Sequence, residues 1–87
     1  MTAPWSWVAT SRARRDFRRL DPPDARRVVD ALDRFVENPR AGDIRKLQGS
    51  TEWRLRVGEL RVRFTFDDDA RVIHVVRVLP RGRAYER

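Results

Sequence analysis

The second half of the chain alternates apolar and polar residues over two consecutive segments, and this pattern constrains the fold more than any other feature. Residues two apart lie on the same face of a β-strand, so the alternation predicts two strands with one apolar face each. Gly58-Glu59 separates the segments, and glycine supplies the positive φ that a two-residue hairpin loop needs. The sequence therefore predicts an antiparallel hairpin with these residues on its apolar face: Trp53, Leu55, Val57, Leu60, Val62, Phe64 and Phe66.

A third strand is expected directly after this hairpin. Three consecutive aspartates and Ala70 have the composition of a turn. Residues 71–79 then carry apolar side chains with little alternation, at Val72, Ile73, Val75, Val76, Val78 and Leu79. Such a run is typical of a strand that is buried on both faces, so we expect it at the centre of the sheet.

The first half of the chain predicts one strand and a short helix. Residues 5–10 alternate loosely and are expected to form the first strand. Ser11 is a candidate N-cap for the helix, because its hydroxyl can accept a hydrogen bond from a free backbone N–H. The apolar residues of this helix are spaced four and three apart, at Ala13, Phe17 and Leu20.

The second helix has the clearest start signal in the sequence. Asp21 suits the N-cap and Pro22 the first helical position, where its missing N–H costs nothing. We expect the helix to end at Asn38-Pro39, because the residue before a proline avoids helical backbone angles. One apolar stripe runs along it: Ala25, Val28, Val29, Leu32, Phe35 and Val36.

The predicted elements follow the order β-α-α-β-β-β within a single domain that spans residues 1–87. Two short helices with apolar faces need a sheet to pack against, and the hairpin offers one apolar face. The sequence therefore predicts an α+β fold in which two N-terminal helices pack on one face of an antiparallel meander. The other face of the sheet is left open.

The hairpin register brings four arginines together on that open face. A two-residue loop pairs Arg56 with Arg61 and Arg54 with Arg63, and no acidic residue occupies these positions. Like charges directly across an antiparallel pair destabilise it, so stability alone does not favour this arrangement. The planar guanidinium matches phosphate oxygens, and we therefore favour an anion-binding surface. The alternative is a solvated face in an arginine-rich chain, since all basic residues except Lys46 are arginines.

Composition narrows the class of partner and the location. The 87 residues carry a net charge of +7, which favours a polyanionic partner such as nucleic acid or an acidic protein. The sequence has no cysteine, which excludes disulfides and thiolate metal sites. No apolar stretch approaches the roughly 20 residues of a membrane span. The first ten residues lack a basic start followed by an apolar run, so a cytoplasmic location is expected.

A few single residues need their own interpretation. His74 is the only histidine, and its apolar neighbours predict a structural role in the core or at a strand edge. The aspartate turn is expected to be solvated rather than to hold Mg²⁺, so neither a metal site nor a cofactor is predicted. Trp5, Trp7 and Trp53 share the parity of the core positions and are expected to pack there. Tyr85 lies in a basic tail, where stacking, proton transfer and simple anchoring all stay open.

Short motifs over nearly the whole chain form a further pattern. They are an early Trp-x-Trp-Val strand, DFRRL, NPRAG after the second helix, KLQG from Lys46, WRLRVGELRVRF and an Arg-x-x-x-Tyr that ends at Tyr85. Together they resemble RelE-type toxins of the RelE/ParE superfamily of type II toxin–antitoxin systems. The resemblance implies an endoribonuclease that cleaves mRNA, usually on the ribosome in its A site, and so inhibits translation. It also implies a cognate acidic antitoxin that neutralises the basic face.

The same resemblance implies roles for individual residues. Arg61 matches a catalytic arginine after the hairpin turn, Arg81 one after the last strand, and Tyr85 a C-terminal catalytic tyrosine. Leu79-Pro80 departs from the Gly-His of many relatives, and some relatives have lysines at the hairpin pair, where arginine is a poorer proton carrier. RNA contacts are implied for a further set: Arg54, Arg56, Arg63, Lys46 and Arg83.

The implied reaction is attack of an RNA 2′-hydroxyl on its own adjacent phosphate. It needs a base at the 2′-oxygen, cations for the charge on the phosphoryl oxygens and an acid or cation at the leaving 5′-oxygen, and no metal. Two alternatives stay open, a ParE-like inhibitor of DNA gyrase and a non-catalytic RNA-binding module. The set Arg61, Arg81 and Tyr85 favours the ribonuclease, because gyrase inhibitors generally lack it and binding alone does not require it.

Overall fold

The computed structural model describes residues 4–39 and 43–80, which form two helices and a five-stranded mixed sheet. The strand order is β1-β5-β4-β3-β2, in which β1 runs parallel to β5 and the other pairs are antiparallel. No helix among the described residues is both long and apolar enough to cross a membrane. In chain order the elements are β1 (Ser6–Ala9), α1 (Ser11–Arg19), α2 (Pro22–Phe35), β2 (Ile44–Lys46), β3 (Trp53–Val57), β4 (Leu60–Asp67) and β5 (Val72–Pro80).

The predicted α+β class and the meander of β3, β4 and β5 are confirmed, and one strand was missed. The β3–β4 register pairs Val57 with Leu60, as the two-residue loop requires, and Gly58 has a φ of 59°. The missed strand is β2, which pairs antiparallel with β3. It has three residues and only Ile44 is apolar, so it has no periodicity that sequence analysis could detect.

The interior position of β5, between β1 and β4, is confirmed, but burial on both of its faces is not. Its fully buried residues are Ile73, Val75 and Val78, and the other apolar positions are only half-buried. The spacing of two and then three arises from a β-bulge, where the partner of Arg63 is Arg77 and that of Phe64 is Val75. An extra residue in one strand shifts the alternation. The bulge therefore explains part of the continuous apolar run.

The first helix is capped by Thr10 and not by Ser11, which is its first helical residue. The Thr10 hydroxyl accepts a hydrogen bond from the Ala13 backbone N–H at 3.1 Å. Its own backbone N–H donates to the Val75 carbonyl at 3.0 Å. Thr10 has the extended backbone of an N-cap. The bond to β5 holds Thr10 in this conformation, so the cap is Thr10 and the neighbouring Ser11 is helical.

The second helix begins as predicted and ends earlier. Asp21 occupies the N-cap position before Pro22, although its side chain makes no capping hydrogen bond. The helix ends at Phe35, and residues 36–38 continue as turns, so the predicted end at Asn38-Pro39 was about one turn too late. The Val36 N–H still donates to the Leu32 carbonyl at 3.0 Å.

The core lies between the helices and one face of the sheet. Phe64 has no exposed surface and contacts Phe35 and Phe66 edge-on at 5.2 and 5.3 Å between ring centres. Trp5 and Trp53 both pack edge-on against Phe66, which confirms the expected core role of these tryptophans. The buried apolar set is Ala13, Val28, Leu32, Phe35, Leu55, Leu60, Val62, Phe64, Ile73, Val75 and Val78.

Trp7 joins β1 to both helices. Its indole ring stacks on Phe17 of α1 at 6.2 Å between ring centres. The indole N–H donates to the Asp33 carboxylate of α2 at 2.9 Å. This is the usual arrangement of a half-buried tryptophan, whose ring packs while its N–H finds an acceptor.

Candidate functional site

The sheet face opposite the core carries two rows of residues that run across the strands. The first row has an arginine on each of four neighbouring strands, since register partners join Arg45, Arg54, Arg63 and Arg77. The second row joins Arg56, Arg61 and Leu79. Register partners share a face, and the intervening residues Leu55, Val62 and Val78 are buried in the core. Six arginines therefore share this face: Arg45 on β2, Arg54 and Arg56 on β3, Arg61 and Arg63 on β4, and Arg77 on β5. We call them the sheet arginine face.

Arg45 is a member of this face that sequence analysis did not single out. It pairs with Arg54, whereas Lys46 pairs with Trp53, whose ring packs against Phe66 on the core side. The register therefore places Lys46 on the opposite side of β2 from the arginines. The signal that identifies Arg45 is the pairing of β2 with β3, which no pattern in the three-residue strand reveals.

Three of these arginines have no carboxylate partner in the part of the chain that the structure describes. Within residues 4–39 and 43–80, Arg45, Arg54 and Arg56 form no ion pair. Arg45 and Arg56 are exposed and Arg54 is half-buried. Unpaired guanidiniums on neighbouring strands, which lie ~4.8 Å apart, raise the local positive potential and attract anions.

Two other arginines are held by carboxylates from outside the rows. Arg63 donates to Glu52 Oε1 from Nε at 2.8 Å and from Nη2 at 2.6 Å. Arg77 donates to Asp16 Oδ2 from Nε at 2.8 Å and to Oδ1 from Nη2 at 3.3 Å. These two-point contacts fix the planes of the guanidiniums, so part of the face is rigid in the free protein.

Asp16 connects α1 to the edge of the sheet. Its side chain is 7% exposed, and Oδ2 also accepts the Val78 backbone N–H at 2.9 Å. Pairing of β1 with β5 ends at Val75, so the later residues of β5 lack a strand on that side. Asp16 supplies an acceptor where the next strand would stand. The DFRRL motif in the sequence contains this aspartate, but only the fold shows what it binds.

Arg61 differs from its neighbours because it is buried, with 7% of its surface exposed. It lies between Arg56 and Leu79 in the second row. A pocket at the end of the hairpin is lined by Arg56, Gly58, Glu59, Leu60 and Arg61. Burial restricts the rotamers of a long side chain, so Arg61 lines this pocket with little conformational freedom left to lose on binding.

The predicted residues of the C-terminal tail lie outside the described residues. These are Arg81, Arg83 and Tyr85. The last described residue, Pro80, pairs with Leu60, so β5 ends beside the Gly58-Glu59 turn and the Arg61 pocket.

His74 lies on the open face rather than in the core. It pairs with Thr65 of β4 and with Val8 of β1, and its side chain is 42% exposed. Its Nε2 lies 3.9 Å from Asp67 Oδ2. The apolar neighbours of His74 in sequence mostly point to the opposite side of the strand, which is why its surroundings looked apolar.

The aspartate turn has the structural role that was expected. Asp67 Oδ1 accepts the Ala70 backbone N–H at 3.0 Å, and Asp68 and Asp69 are exposed. Among the described residues, no group of three or more possible ligands is arranged to hold a metal ion.

Comparison with known proteins identifies the family. A model described as the ParE toxin of the type II toxin–antitoxin system parDE matches residues 8–85. No curated protein matches the chain. The toxin–antitoxin complex RelBE2 from Mycobacterium tuberculosis contains a similar chain with 26% identity and a TM-score of 0.79, and the match covers 91% of this chain and 100% of that chain.

Two further solved structures share the fold at lower identity. A chain of the archaeal RelE–RelB complex from Pyrococcus horikoshii OT3 is 24% identical with a TM-score of 0.76, covering 94% of this chain and 100% of that one. The isolated E. coli RelE toxin is 22% identical with a TM-score of 0.74, covering 95% and 89%. The expected superfamily is thus confirmed: this chain belongs to the ParE toxin family of type II toxin–antitoxin systems, within the RelE/ParE superfamily.

Proposed function

We propose that this toxin is an endoribonuclease that cleaves mRNA, in association with the ribosome, and thereby inhibits translation. The observation that carries the proposal is the sheet arginine face, on which Arg45, Arg54 and Arg56 are unneutralised among the described residues. Arginine binds phosphate through its fork of N–H donors, and a row of arginines matches a chain of phosphates.

The proposed chemistry uses the RNA's own 2′-hydroxyl. Its oxygen attacks the adjacent phosphorus while the bond from phosphorus to the 5′-oxygen breaks, which leaves a 2′,3′-cyclic phosphate and a 5′-hydroxyl. The 2′-hydroxyl proton passes to a base, for which we propose Tyr85. The 5′-oxygen leaves with its negative charge offset by arginine and takes its proton from water. Positive charge near a phenol favours the phenolate form that this base requires, and Arg81 and Arg83 precede Tyr85 in the sequence.

The arginines stabilise the charge that builds up during this reaction. We assign the phosphoryl oxygens to Arg61 and Arg81, with Arg54 and Arg56 around the leaving group and the RNA backbone. The burial of Arg61 beside the hairpin pocket supports this role, because donors that are already oriented need no reorganisation in the transition state. The more distant RNA contacts are assigned to Arg63 and Arg83.

An acidic antitoxin is the proposed protein partner. The similar solved chains from M. tuberculosis and P. horikoshii are parts of toxin–antitoxin and RelE–RelB complexes. The net charge of +7 and the unpaired arginines of the sheet face suit an acidic segment that competes with RNA for the same surface.

Inhibition of DNA gyrase is the second candidate function. The observation that favours it is the family model, whose description names the ParE toxin. A gyrase inhibitor binds a protein and performs no RNA chemistry, so the two candidates predict damage to different macromolecules. Binding of RNA without cleavage is a third possibility, which predicts neither kind of strand break.

Expression in bacteria without an antitoxin separates these functions. We expect growth arrest together with cleavage of translated mRNAs at codon boundaries, measured by mapping the 5′ ends of total RNA. Chromosomal DNA prepared from the same cells should stay intact. Unbroken transcripts in arrested cells would exclude the ribonuclease, and accompanying DNA breaks would assign the toxin to gyrase inhibition.

A further inference from the structure

The solvent-facing side of α1 is basic along its whole length. Ala13 and Asp16 are buried, and Phe17 is half-buried against Trp7. At 100° per residue, the remaining side chains occupy the opposite arc of the helix. All five arginines on this arc are exposed: Arg12, Arg14, Arg15, Arg18 and Arg19.

The arginine content of the chain alone does not explain this clustering, as α2 shows. The α2 helix has three arginines, but it also has three aspartates interspersed with them, and Asp24 lies 3.9 Å from Arg27. The only acidic residue of α1 is Asp16, which is buried and bound to Arg77. It therefore offers no carboxylate to the surface arginines, and none of them forms an ion pair within residues 4–39 and 43–80.

The α1 arginines continue the sheet arginine face around the edge of β5. Asp16 contacts Arg77, the last member of the first cross-strand row. Helical spacing places Arg12, four residues earlier, and Arg19, three residues later, on either side of Asp16 along the helix. Arg15 follows on the same side of the arc. We call Arg12, Arg15 and Arg19 the α1 arginine patch.

The chemistry of the α1 arginine patch suits phosphates better than a protein surface. Protein partners are usually anchored by apolar or aromatic side chains in a pocket. The arc of α1 that Arg12, Arg15 and Arg19 share carries no apolar residue, because Ala13 and Phe17 face the core side. The apolar groove of α1 is lined by Trp7, Phe17 and Val29 and lies on its other side, beside Arg14 and Arg18. Phosphodiester chains bind through charge alone, without such an anchor.

We propose that the α1 arginine patch is a second RNA-binding surface, which holds phosphates outside the segment that lies on the sheet. The proposal rests on RNA as the ligand of the sheet arginine face and extends the bound RNA around the β5 edge. The four-strand row spans ~14 Å and the nine-residue α1 is ~13 Å long, so an RNA that contacts both surfaces is longer than the segment on the sheet.

The test measures the salt dependence of RNA affinity, with a matched control. Binding of 2′-O-methyl RNAs, which lack the attacking hydroxyl, is followed by fluorescence anisotropy for lengths of about 4 and about 16 nucleotides. One variant combines Arg12→Gln, Arg15→Gln and Arg19→Gln. The α2 control combines Arg26→Gln and Arg34→Gln, and a two-site α1 variant, Arg12→Gln with Arg19→Gln, removes the same charge for direct comparison. All these arginines are exposed. Arg27 is left unchanged because its guanidinium lies near Gly58 at the hairpin pocket.

We expect the α1 variant to lose affinity only for the long RNA. Its slope of log affinity against log salt should flatten by about 0.7 for each lost phosphate contact, or by ~2 for three contacts. The α2 control should bind both RNAs as the wild type does. An unchanged slope in the α1 variant, or an equal change in the α2 control and the two-site α1 variant, overturns the proposal. Equal competition by polyglutamate at equal charge concentration also overturns it, in favour of an acidic protein.

A third variant separates this proposal from the proposed function. Arg54→Gln with Arg56→Gln should flatten the slope for both RNA lengths, because it removes contacts on the sheet itself. If this variant binds like the wild type while the α1 variant is impaired, the sheet is not the RNA site and the α1 surface stands alone. Both side chains lie on the face opposite the core, so thermal unfolding should be unchanged.

Discussion

Replacing Asp16 by alanine is expected to lower the free energy of unfolding by about 3 kcal/mol, a large effect for one residue of a nine-residue helix. The change leaves the Val78 N–H without its acceptor and the Arg77 guanidinium, which is 20% exposed, without its partner. Removal of one member of a buried pair costs ~3–5 kcal/mol, and the partial exposure of Arg77 sets the lower end of that range. Alanine is the better helix former, so intrinsic helix propensity acts in the opposite direction.

Urea unfolding measures this loss as a lower midpoint at an unchanged m-value. Asp16→Asn should lose only ~1–2 kcal/mol, because its amide oxygen can still accept the Val78 N–H. Asp30→Ala removes an exposed carboxylate of α2 and should change stability by less than about 0.5 kcal/mol. Equal stability of Asp16→Ala and Asp30→Ala would show that α1 is not fixed to the β5 edge through Asp16.

Arg81→Ala and Tyr85→Phe are expected to slow RNA cleavage by roughly 10² or more, measured in single turnovers at saturating enzyme. Loss of the arginine removes the positive charge that we propose stabilises the phosphoryl oxygens. Loss of the phenolic hydroxyl removes the proposed base but keeps the ring and its stacking. Binding of 2′-O-methyl RNA should therefore be nearly normal in Tyr85→Phe.

Arg87→Ala provides the control for both variants, since it removes an arginine from the same tail at a position without a proposed role. It should cleave RNA within a factor of a few of the wild-type rate. Cleavage by Tyr85→Phe at the wild-type rate would remove the tyrosine from the mechanism and leave a site that acts by charge alone. The same result for Arg81→Ala would mean that the family pattern does not apply to this chain.

Sequence periodicity was sufficient to predict the strands β3, β4 and β5 and the arginine pairs across β3 and β4. It was not sufficient to predict the edge strand β2. The hairpin register followed from Gly58-Glu59, because a two-residue loop leaves only one pairing of the strands. The strand β2 could not be predicted, since three residues with one apolar side chain form a strand only because β3 is there to pair with. Arg45 was missed for the same reason.

Long-range contacts explain the other differences. Asp16 binds residues 61 and 62 positions later in the chain, a relation that no local pattern contains. The bulge opposite Arg63 and Phe64 shifts the alternation of β5, so its apolar run gave a misleading prediction of burial. The ion pair between Arg63 and Glu52 likewise depends on the fold, because the pairing of β3 with β4 brings Arg63 close to the residue that precedes β3.

Analysis of the ends of cleaved RNA tests the central claim most directly. Purified toxin is incubated with translating ribosomes and a labelled mRNA, and the products are examined for their terminal groups. We predict a 2′,3′-cyclic phosphate on the upstream fragment and a 5′-hydroxyl on the downstream one. A single 2′-deoxy substitution at the cleaved nucleotide should abolish the cut, and Arg61→Gln should slow it strongly. Cleavage that persists at the 2′-deoxy position, or fragments with 5′-phosphates, would contradict the account. Either result would mean that the 2′-hydroxyl of an RNA bound on the sheet arginine face does not attack its adjacent phosphate.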